Sequence, residues 1–550
     1  MCHPSTSLYV AFTRCVSSIV FLIVVSCSAG RAQIRHLVSL RDLETLEDAT
    51  YLQVSPTGEM VAYVWKEHLW VMSTQQGSSP RQFGDAKFPL WSPDGMKLAY
   101  YSAESGTSQL WILNLDKSKA EQVTALKEGI DPDPTMGLYW FFDPLRFSWS
   151  PDGTKLVFAS RVIENADDTA NEAENFSDLS SKTRTQPLVL AANTPADWTL
   201  RGVLRSASNL PKWSLGQKRS DELSAKKVSQ LFVVELLRRT VQQFTHDHAG
   251  YYHPAWSPDG RTIACVSADG KFPSRGSPAT TNIYLVDVAT HKRRALTIGT
   301  GEKRVPTWSP DGTSIAYLAR HGFGQQSVFV VPHDGRAKPI NCTGIMRRHV
   351  LDFQWWPNSM SLMVVTVDGV SWPISRVGIQ PSHEVLRIGN EPSHRWPVSV
   401  SRTGVLVWQQ SDGSRIGSIF VRHSGNDHSY LLVDLNPQVQ TWELGKQEVV
   451  KWKNARGEPK EGVLIKPAGY KAGIRYPLIV DGYPHMGNGF FGWAMLGNQA
   501  WASMGYAVFF PDARAPHVYE NHFKTEVFDQ AGRGPHGWGG SSRRRNVRCR

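Results

Sequence analysis

Cysteine is scarce in this chain of 550 residues: there are six, and Cys2, Cys15 and Cys27 fall in the first 32 positions. Cys265, Cys342 and Cys549 remain, and no C-x-x-C pair occurs. That excludes a zinc ribbon, a dithiol redox motif and a fold built on disulfides. No apolar run reaches the ~20 residues that a membrane-spanning helix needs, so a multi-span membrane protein is excluded as well. Charge of one sign is also lacking: 60 Lys+Arg stand against 49 Asp+Glu. Arg543, Arg544, Arg545, Arg548 and Arg550 crowd the last ten residues, SSRRRNVRCR, which hold no acid; without these five, 55 basic residues face 49 acidic ones. No basic stripe with interleaved aromatics occurs elsewhere, so no nucleic-acid partner is expected. No motif for a metal or an organic cofactor is present, and none is expected.

Tryptophan, glycine and proline are abundant, at 20, 45 and 33 residues. That combination suits many short strands joined by tight turns. At the start, Arg14 precedes the uncharged stretch CVSSIVFLIVVSCSAG, which ends before Arg31. This resembles the apolar region of a signal peptide behind a positive flank. Cleavage after Ala32 would leave residues 1–32 as a signal peptide. Val24-Val25-Ser26-Cys27 offers the alternative of a lipoprotein box with a lipid anchor on Cys27. Either route implies export, to the periplasm or beyond, with no transmembrane span once the signal is removed.

A repeat fills the next 400 residues. W-S-P-D-G occurs at Trp91–Gly95, Trp149–Gly153, Trp256–Gly260 and Trp308–Gly312, with degenerate copies at Val54–Gly58, Trp356–Ser359 and Val400–Gly404. Proline fixes φ, aspartate caps the turn, and glycine takes the positive φ where the chain reverses. Alternating apolar runs follow each copy (KLAYYS, then SQLWILNL; TIACVS, then TNIYLVDV), the period of half-buried strands. The tryptophan before each turn is large enough to pack between neighbouring sheets. Short strands in about seven such units predict a β-propeller over 36–445. A polar insertion at 162–228 interrupts the third blade; an eighth, degenerate blade inside it is the alternative. Asp94, Asp152, Asp259 and Asp311 recur once per unit and read as turn caps rather than a metal site. Asp131-Pro-Asp133-Pro reads as a rigid loop.

The repeat stops after Leu444. From 446 the chain reads strand, hairpin, strand, strand, helix, strand, with PLIV and AVFF as continuous apolar runs of the kind found in buried parallel strands. This predicts the N-terminal part of an α/β domain over 446–540, followed by an anomalous basic tail at 541–550.

W-S-P-D-G units followed by KNARGEPKEGVLIKPAGY, YPLIVDGYPH, MGYAVFFPDAR and GWGG resemble the prolyl oligopeptidase family of serine peptidases, over roughly residues 36–540. Within it the likeness is to the secreted bacterial acylaminoacyl-peptidase and dipeptidyl-peptidase type. The resemblance implies an α/β-hydrolase domain that hydrolyses short peptides, behind a propeller that restricts access. It implies a serine on a G-x-S-x-G elbow, then Asp, then His. No G-x-S-x-G is present. Gly413–Gly417 is one residue out of register and lies in the propeller, and Gly539–Arg543 lacks the last glycine. Nucleophile, acid and base are all missing, so the chain as written is expected to be inactive and to be a C-terminally truncated form. The loop after PLIV corresponds to the oxyanion side of such enzymes and reads Asp481-Gly482-Tyr483-Pro484-His485. The family's aromatic slot holds Asp481, an acceptor, so Gly482 and Tyr483 are the candidates there. The competing expectation is a non-enzymatic, TolB-like propeller that binds protein or peptide in the periplasm.

Overall fold

The computed structural model describes residues 35–127, 129–130, 147–163, 227–268, 280–320, 325–380, 384–389, 392–454, 457–480 and 496–512. Seven four-stranded antiparallel sheets follow one another along the chain, each made of four consecutive strands in sequence order. They span residues 50–85, 87–122, 147–243, 251–295, 302–341, 349–388 and 394–433, and are numbered sheets I to VII.

Each sheet is apolar on both faces, so each packs on two neighbours. Seven apolar clusters fill the seven gaps. The last joins Val405, Val407, Ile419 and Val421 of sheet VII to Leu52, Val61 and Tyr63 of sheet I. The sheets therefore form a closed ring, an arrangement consistent with a β-propeller. First strands of neighbouring sheets meet (I with II, III with IV, IV with V, V with VI, VI with VII, VII with I), which places them innermost. Burial of side chains such as Leu98, Phe158 or Ile263, each with no exposed surface, contributes about 1.5–3 kcal/mol apiece.

The turn chemistry repeats as the sequence demands. Asp94 Oδ1 accepts from Ser92 Oγ (2.5 Å) and from the Met96 N–H (3.0 Å). Asp152, Asp259 and Asp311 make the same pair of bonds in their own turns. Gly95, Gly153, Gly260 and Gly312 take φ between 68° and 75°, which a side chain would strain. Three of the four intact-repeat tryptophans stitch sheet to sheet, whereas Trp256 donates to the Gly260 carbonyl of its own turn. Trp91, Trp149 and Trp308 donate their indole N–H to Gln53, Leu90 and Ala255 carbonyls of the preceding sheet, at 3.0–3.1 Å.

Sheet VI corrects one alignment. Trp355, not Trp356, fills the stitching position, with its indole N–H on the Thr307 carbonyl at 3.0 Å. Trp356 replaces the repeat's serine, its N–H bonding the Ser361 carbonyl as Ser92 bonds Lys97. Asn358 then replaces the aspartate, accepting from the Met360 N–H at 3.0 Å, and Ser359 carries the positive φ.

In sheet III the strands Lys155–Ile163 and Lys227–Glu235 pair in unbroken register, so the strands reach two residues further into the 162–228 segment at each side than the sequence suggested. The Asp131-Pro-Asp133-Pro segment, the leader and the basic tail lie outside the described residues.

An eighth sheet is built differently. Its strands Gln447–Lys453, Pro459–Ile465, Leu478–Val480 and Ala507–Asp512 lie in the spatial order first, second, fourth, third. The first two form an antiparallel hairpin, the fourth is antiparallel to the second, and the third and fourth are parallel. The helix Leu496–Ser503 makes the crossover and packs Ala502 against Val463, Ile465 and Val508. Ring and eighth sheet are clipped together at the ends of the ring. The Asn436 side chain accepts from the Glu47 N–H (3.0 Å) and donates to the Glu47 carbonyl (2.7 Å). Beyond it, His36–Leu37 pairs in parallel with Trp442–Glu443, and the Val38 N–H reaches Ser503 Oγ of the helix at 2.9 Å.

Candidate functional site

The geometry defines which side of the ring faces the eighth sheet. In every sheet the W-S-P-D-G turn closes the first hairpin at one end, and the second hairpin lies at the other. The second hairpin of sheet VI, Asp368–Ser371, reaches the eighth sheet: Val370 is buried against Val463, Ile465 and Phe510, and its N–H bonds Glu461 Oε1 at 2.9 Å. Asp368 is held from behind by Arg348 (3.1 Å) and Arg387 (2.8 Å). Gly369 has a φ of 55°, and any side chain there would collide with the Glu461 carboxylate. Glu461 is the register partner of Asp512, at the carboxyl end of the fourth strand. The carboxyl ends of the parallel strands, where open α/β sheets bind ligands, therefore lie beside the end of the ring at which the innermost strands begin.

Those strand beginnings carry a feature the sequence reading missed. Lys87/Leu90, Tyr252/Ala255 and Arg304/Thr307 each bracket a one-residue bulge, with positive φ at the non-glycine residues Phe88, His253 and Val305. Each is followed by proline (Pro89, Pro254, Pro306), which has no N–H to leave unpaired in the broken ladder. The signal was available: a proline stands two residues before the tryptophan in three of the four intact repeats, as FPLW, HPAW and VPTW.

The side chains at this rim differ from sheet to sheet. Sheets I, II and III present an aromatic run: Tyr51 against Phe88 (4.2 Å between centroids), with Tyr101 bridging Phe88 to Phe147. Sheets V to VII are polar. The Lys303 ammonium donates to the Gly299 and Thr300 carbonyls at 2.8 and 3.0 Å, and burial lowers its pKa. Beside it, Glu302, Arg304 and Arg320 form an ion cluster inside the protein. His349 Nδ1 accepts from the Gln326 N–H at 3.2 Å. His394 stacks on Trp372 at 4.0 Å; burial, then the neighbouring Arg395 charge, pushes its imidazole down to about 3, so it stays neutral. Burial pushes Asp352 up to about 7, against the opposing bonds from the Phe353 N–H and the Trp396 indole.

Of the residues expected to act, Gly482 and Tyr483 lie outside the described residues, as do Asp481, Pro484 and His485. Their flanks are described. The strand Leu478–Val480 and the helix Leu496–Ser503 bracket 481–495, the connection from third strand to first helix that in α/β hydrolases supplies an oxyanion donor. Ser414, in the out-of-register Gly413–Gly417 segment, lies in a hairpin turn between Leu406–Ser411 and Ser418–Arg422. Its hydroxyl bonds Asp412 at 2.9 Å, so it is no strand-to-helix elbow. Cys265 and Cys342 are free and buried, and burial raises both thiol pKa values, Cys342 to about 12, so neither is a thiolate nucleophile.

No protein-family model matches the chain. An uncharacterized peptidase of Bacillus subtilis strain 168, YuxL, is 22% identical over 527 residues, covering 90% of this chain and 73% of the relative. Among solved structures, an acylaminoacyl peptidase in complex with Z-Gly-Gly-Phe-chloromethyl ketone superposes with a TM-score of 0.59 at 16% identity. The acylaminoacyl peptidase of Pyrococcus horikoshii gives 0.57, also at 16%. Both matches cover 86% of this chain and 66% of the solved chain, so this chain spans just under two thirds of their length. TolB of Alcanivorax borkumensis is 43% identical over 70 residues, only 12% of this chain. The fold is thus similar to that of the acylaminoacyl peptidases. In sequence and fold the chain resembles peptidases of the prolyl oligopeptidase family.

Proposed function

We propose that this chain is the ring and the opening sheet of a serine-type peptidase acting on short peptides, of the acyl- or dipeptidyl-peptidase kind. In this reading sheets I to VII are the seven blades of a propeller over 36–445, and 446–540 begins an α/β-hydrolase domain. The observation that carries it is the docking of the eighth sheet. Its parallel strands end against the rim where the innermost ring strands begin, so a ligand at those ends is also met by the ring. The likeness to the Bacillus peptidase supports it by running through both parts of the chain. The ring would then admit small peptides and exclude folded protein, and the N–H groups at Gly482 and Tyr483 would serve the oxyanion side. Residues 1–32 would direct export, with Cys27 as the point of tethering if a lipid is attached.

The 550 residues hold no G-x-S-x-G, so this chain itself is expected to bind peptides without cleaving them. Incubation of the purified chain with N-blocked tripeptide amides tests this, with binding followed by calorimetry and cleavage by chromatography. Binding without cleavage is the expected result. Absence of any peptide binding would defeat the peptidase reading. Capture of a folded protein with no affinity for short peptides would favour the TolB-like binding propeller instead.

A further inference from the structure

The ion cluster of sheet V is the densest group of buried charge in the described ring, although sheet VII also buries Arg395 at the position that matches Arg304. Sheet-to-sheet gaps are filled by aliphatic and aromatic side chains, yet at the start of the innermost strand Glu302–Trp308 three charged residues are almost fully buried. Glu302 and Arg304 are each 6% exposed and Lys303 is 7% exposed. Register fixes their direction. Arg304 is the partner of Leu318, which belongs to the cluster shared with sheet VI, and Glu302 is the partner of Arg320 on the same face. The group therefore lies at the rim end of the gap between sheets V and VI. Sheet VI, which borders that gap, also carries the hairpin Asp368–Ser371 that docks on the eighth sheet.

Stability alone does not account for it. Replacing buried ion groups by apolar side chains of similar volume is often neutral or stabilising, and sheet IV holds Tyr252 at the position that matches Arg304. One carboxylate is shared by two guanidiniums: Arg320 Nη2 bonds Glu302 Oε2 at 2.6 Å, while Arg304 Nε and Nη2 both turn to Glu302 Oε1. Arg304 Nη1 has no protein partner among the described residues. A guanidinium is a planar fork suited to a carboxylate, and held in a low-dielectric site it binds one more strongly than in water.

We propose that Arg304, braced by Glu302 beside Arg320, is a receptor for a carboxylate of the bound peptide, so that this ring selects peptides with a free C-terminus or an acidic side chain. The proposal rests on the peptidase reading above and narrows it to a substrate class. Glu302 plays two parts in it: it orients the Arg304 fork, and it competes with the incoming carboxylate for that fork.

The test compares Z-Gly-Gly-Phe as free acid and as C-terminal amide, titrated calorimetrically into the 550-residue chain. The acid is expected to bind ~10–100-fold more tightly, the range for a hydrogen-bonded charge pair. Arg304→Gln should erase that preference while leaving the amide unchanged. Glu302→Gln should tighten the acid several-fold by removing its competitor. That second variant decides the matter if Arg304→Gln fails to fold. Equal affinity for acid and amide, or no gain in Glu302→Gln, would overturn the carboxylate receptor and leave the peptide-binding reading standing. Failure of both peptides to bind would remove that reading and this proposal together.

Discussion

The ring and the eighth sheet handle the same problem, an apolar sheet face, in opposite ways. In the ring every face meets another sheet, and closure through Leu52, Val407 and Ile419 leaves no first or last member uncovered. In the eighth sheet the strand Leu478–Val480 stands at the edge, with Leu478 38% and Val480 56% exposed. Repetition lets each unit of the ring be stabilised by its neighbours, whereas among the described residues the eighth sheet is covered by one helix and by the hairpin lent by sheet VI. The ring should therefore unfold as one cooperative body and the eighth sheet separately, at lower cost.

Four experiments break or sharpen that contrast. The largest effect is expected from Phe158→Ala, a side chain with no exposed surface stacked on Phe232 at 5.5 Å; it should cost about 3–5 kcal/mol. Denaturant unfolding should show the whole ring transition moving as one step, and a partial transition confined to sheet III would refute cooperativity. Next comes Gly462→Val. A side chain at Gly462 would overlap the Phe510 carbonyl across the ladder, so about 1–3 kcal/mol of overpacking falls on the eighth sheet alone. Protease cuts within 447–512 should then appear while the ring melt stays in place; a shifted ring melt would show the two parts to be a single unit.

The third concerns pH. Asp352 in sheet VI has its folded pKa raised to about 7 by burial, whereas an unfolded aspartate titrates near ~4. Between those values the folded form holds a proton that the unfolded form has lost. Stability therefore falls as pH rises from about 4 to about 7 and is level above. Asp352→Asn should flatten this dependence of the ring melt and raise the midpoint at neutral pH; an unchanged slope would assign the dependence elsewhere, with Asp48, likewise raised to about 7, as the next residue to replace.

The smallest effect is expected at a single turn. The bond from Ser257 and that from the Arg261 N–H hold the Asp259 carboxyl below its ordinary value, so its contribution is present above the unfolded pKa and lost as pH falls through the folded one. Asp259→Ala should cost about 0.5–1.5 kcal/mol at neutral pH and nothing in strong acid. An equal cost at both pH extremes would mean that the turn is shaped by Pro258 and Gly260 alone.

Much of the ring was legible because its chemistry is local. Turn, cap and alternation recur within about fifteen residues, and Trp91, Asp94 and Gly95 perform the roles their types suggest. The succession of strands and helix along the chain after Leu444 was also legible from its apolar runs, though not the order in which the strands lie in the sheet. What stayed hidden depends on register between distant strands. The bulges at Phe88, His253 and Val305 announce themselves only by a proline, and Trp355 could be told from Trp356 only by which indole reaches Thr307. The pairing of Glu302 with Arg320 spans a hairpin that no composition or period marks. The docking of Val370 on the eighth sheet joins residues about ninety positions apart, so it too was beyond the reach of pattern.

The Asn436 clip has a further meaning. One amide side chain grips both the N–H and the carbonyl of Glu47, and so ties the end of sheet VII to the approach of sheet I. A ring fastened in this way has no privileged starting point. Its sheets could be genetically reordered, joining residue 437 to 46 by a short linker that keeps the clip and opening new termini at the exposed turn around Gly77, and the same circle should still assemble.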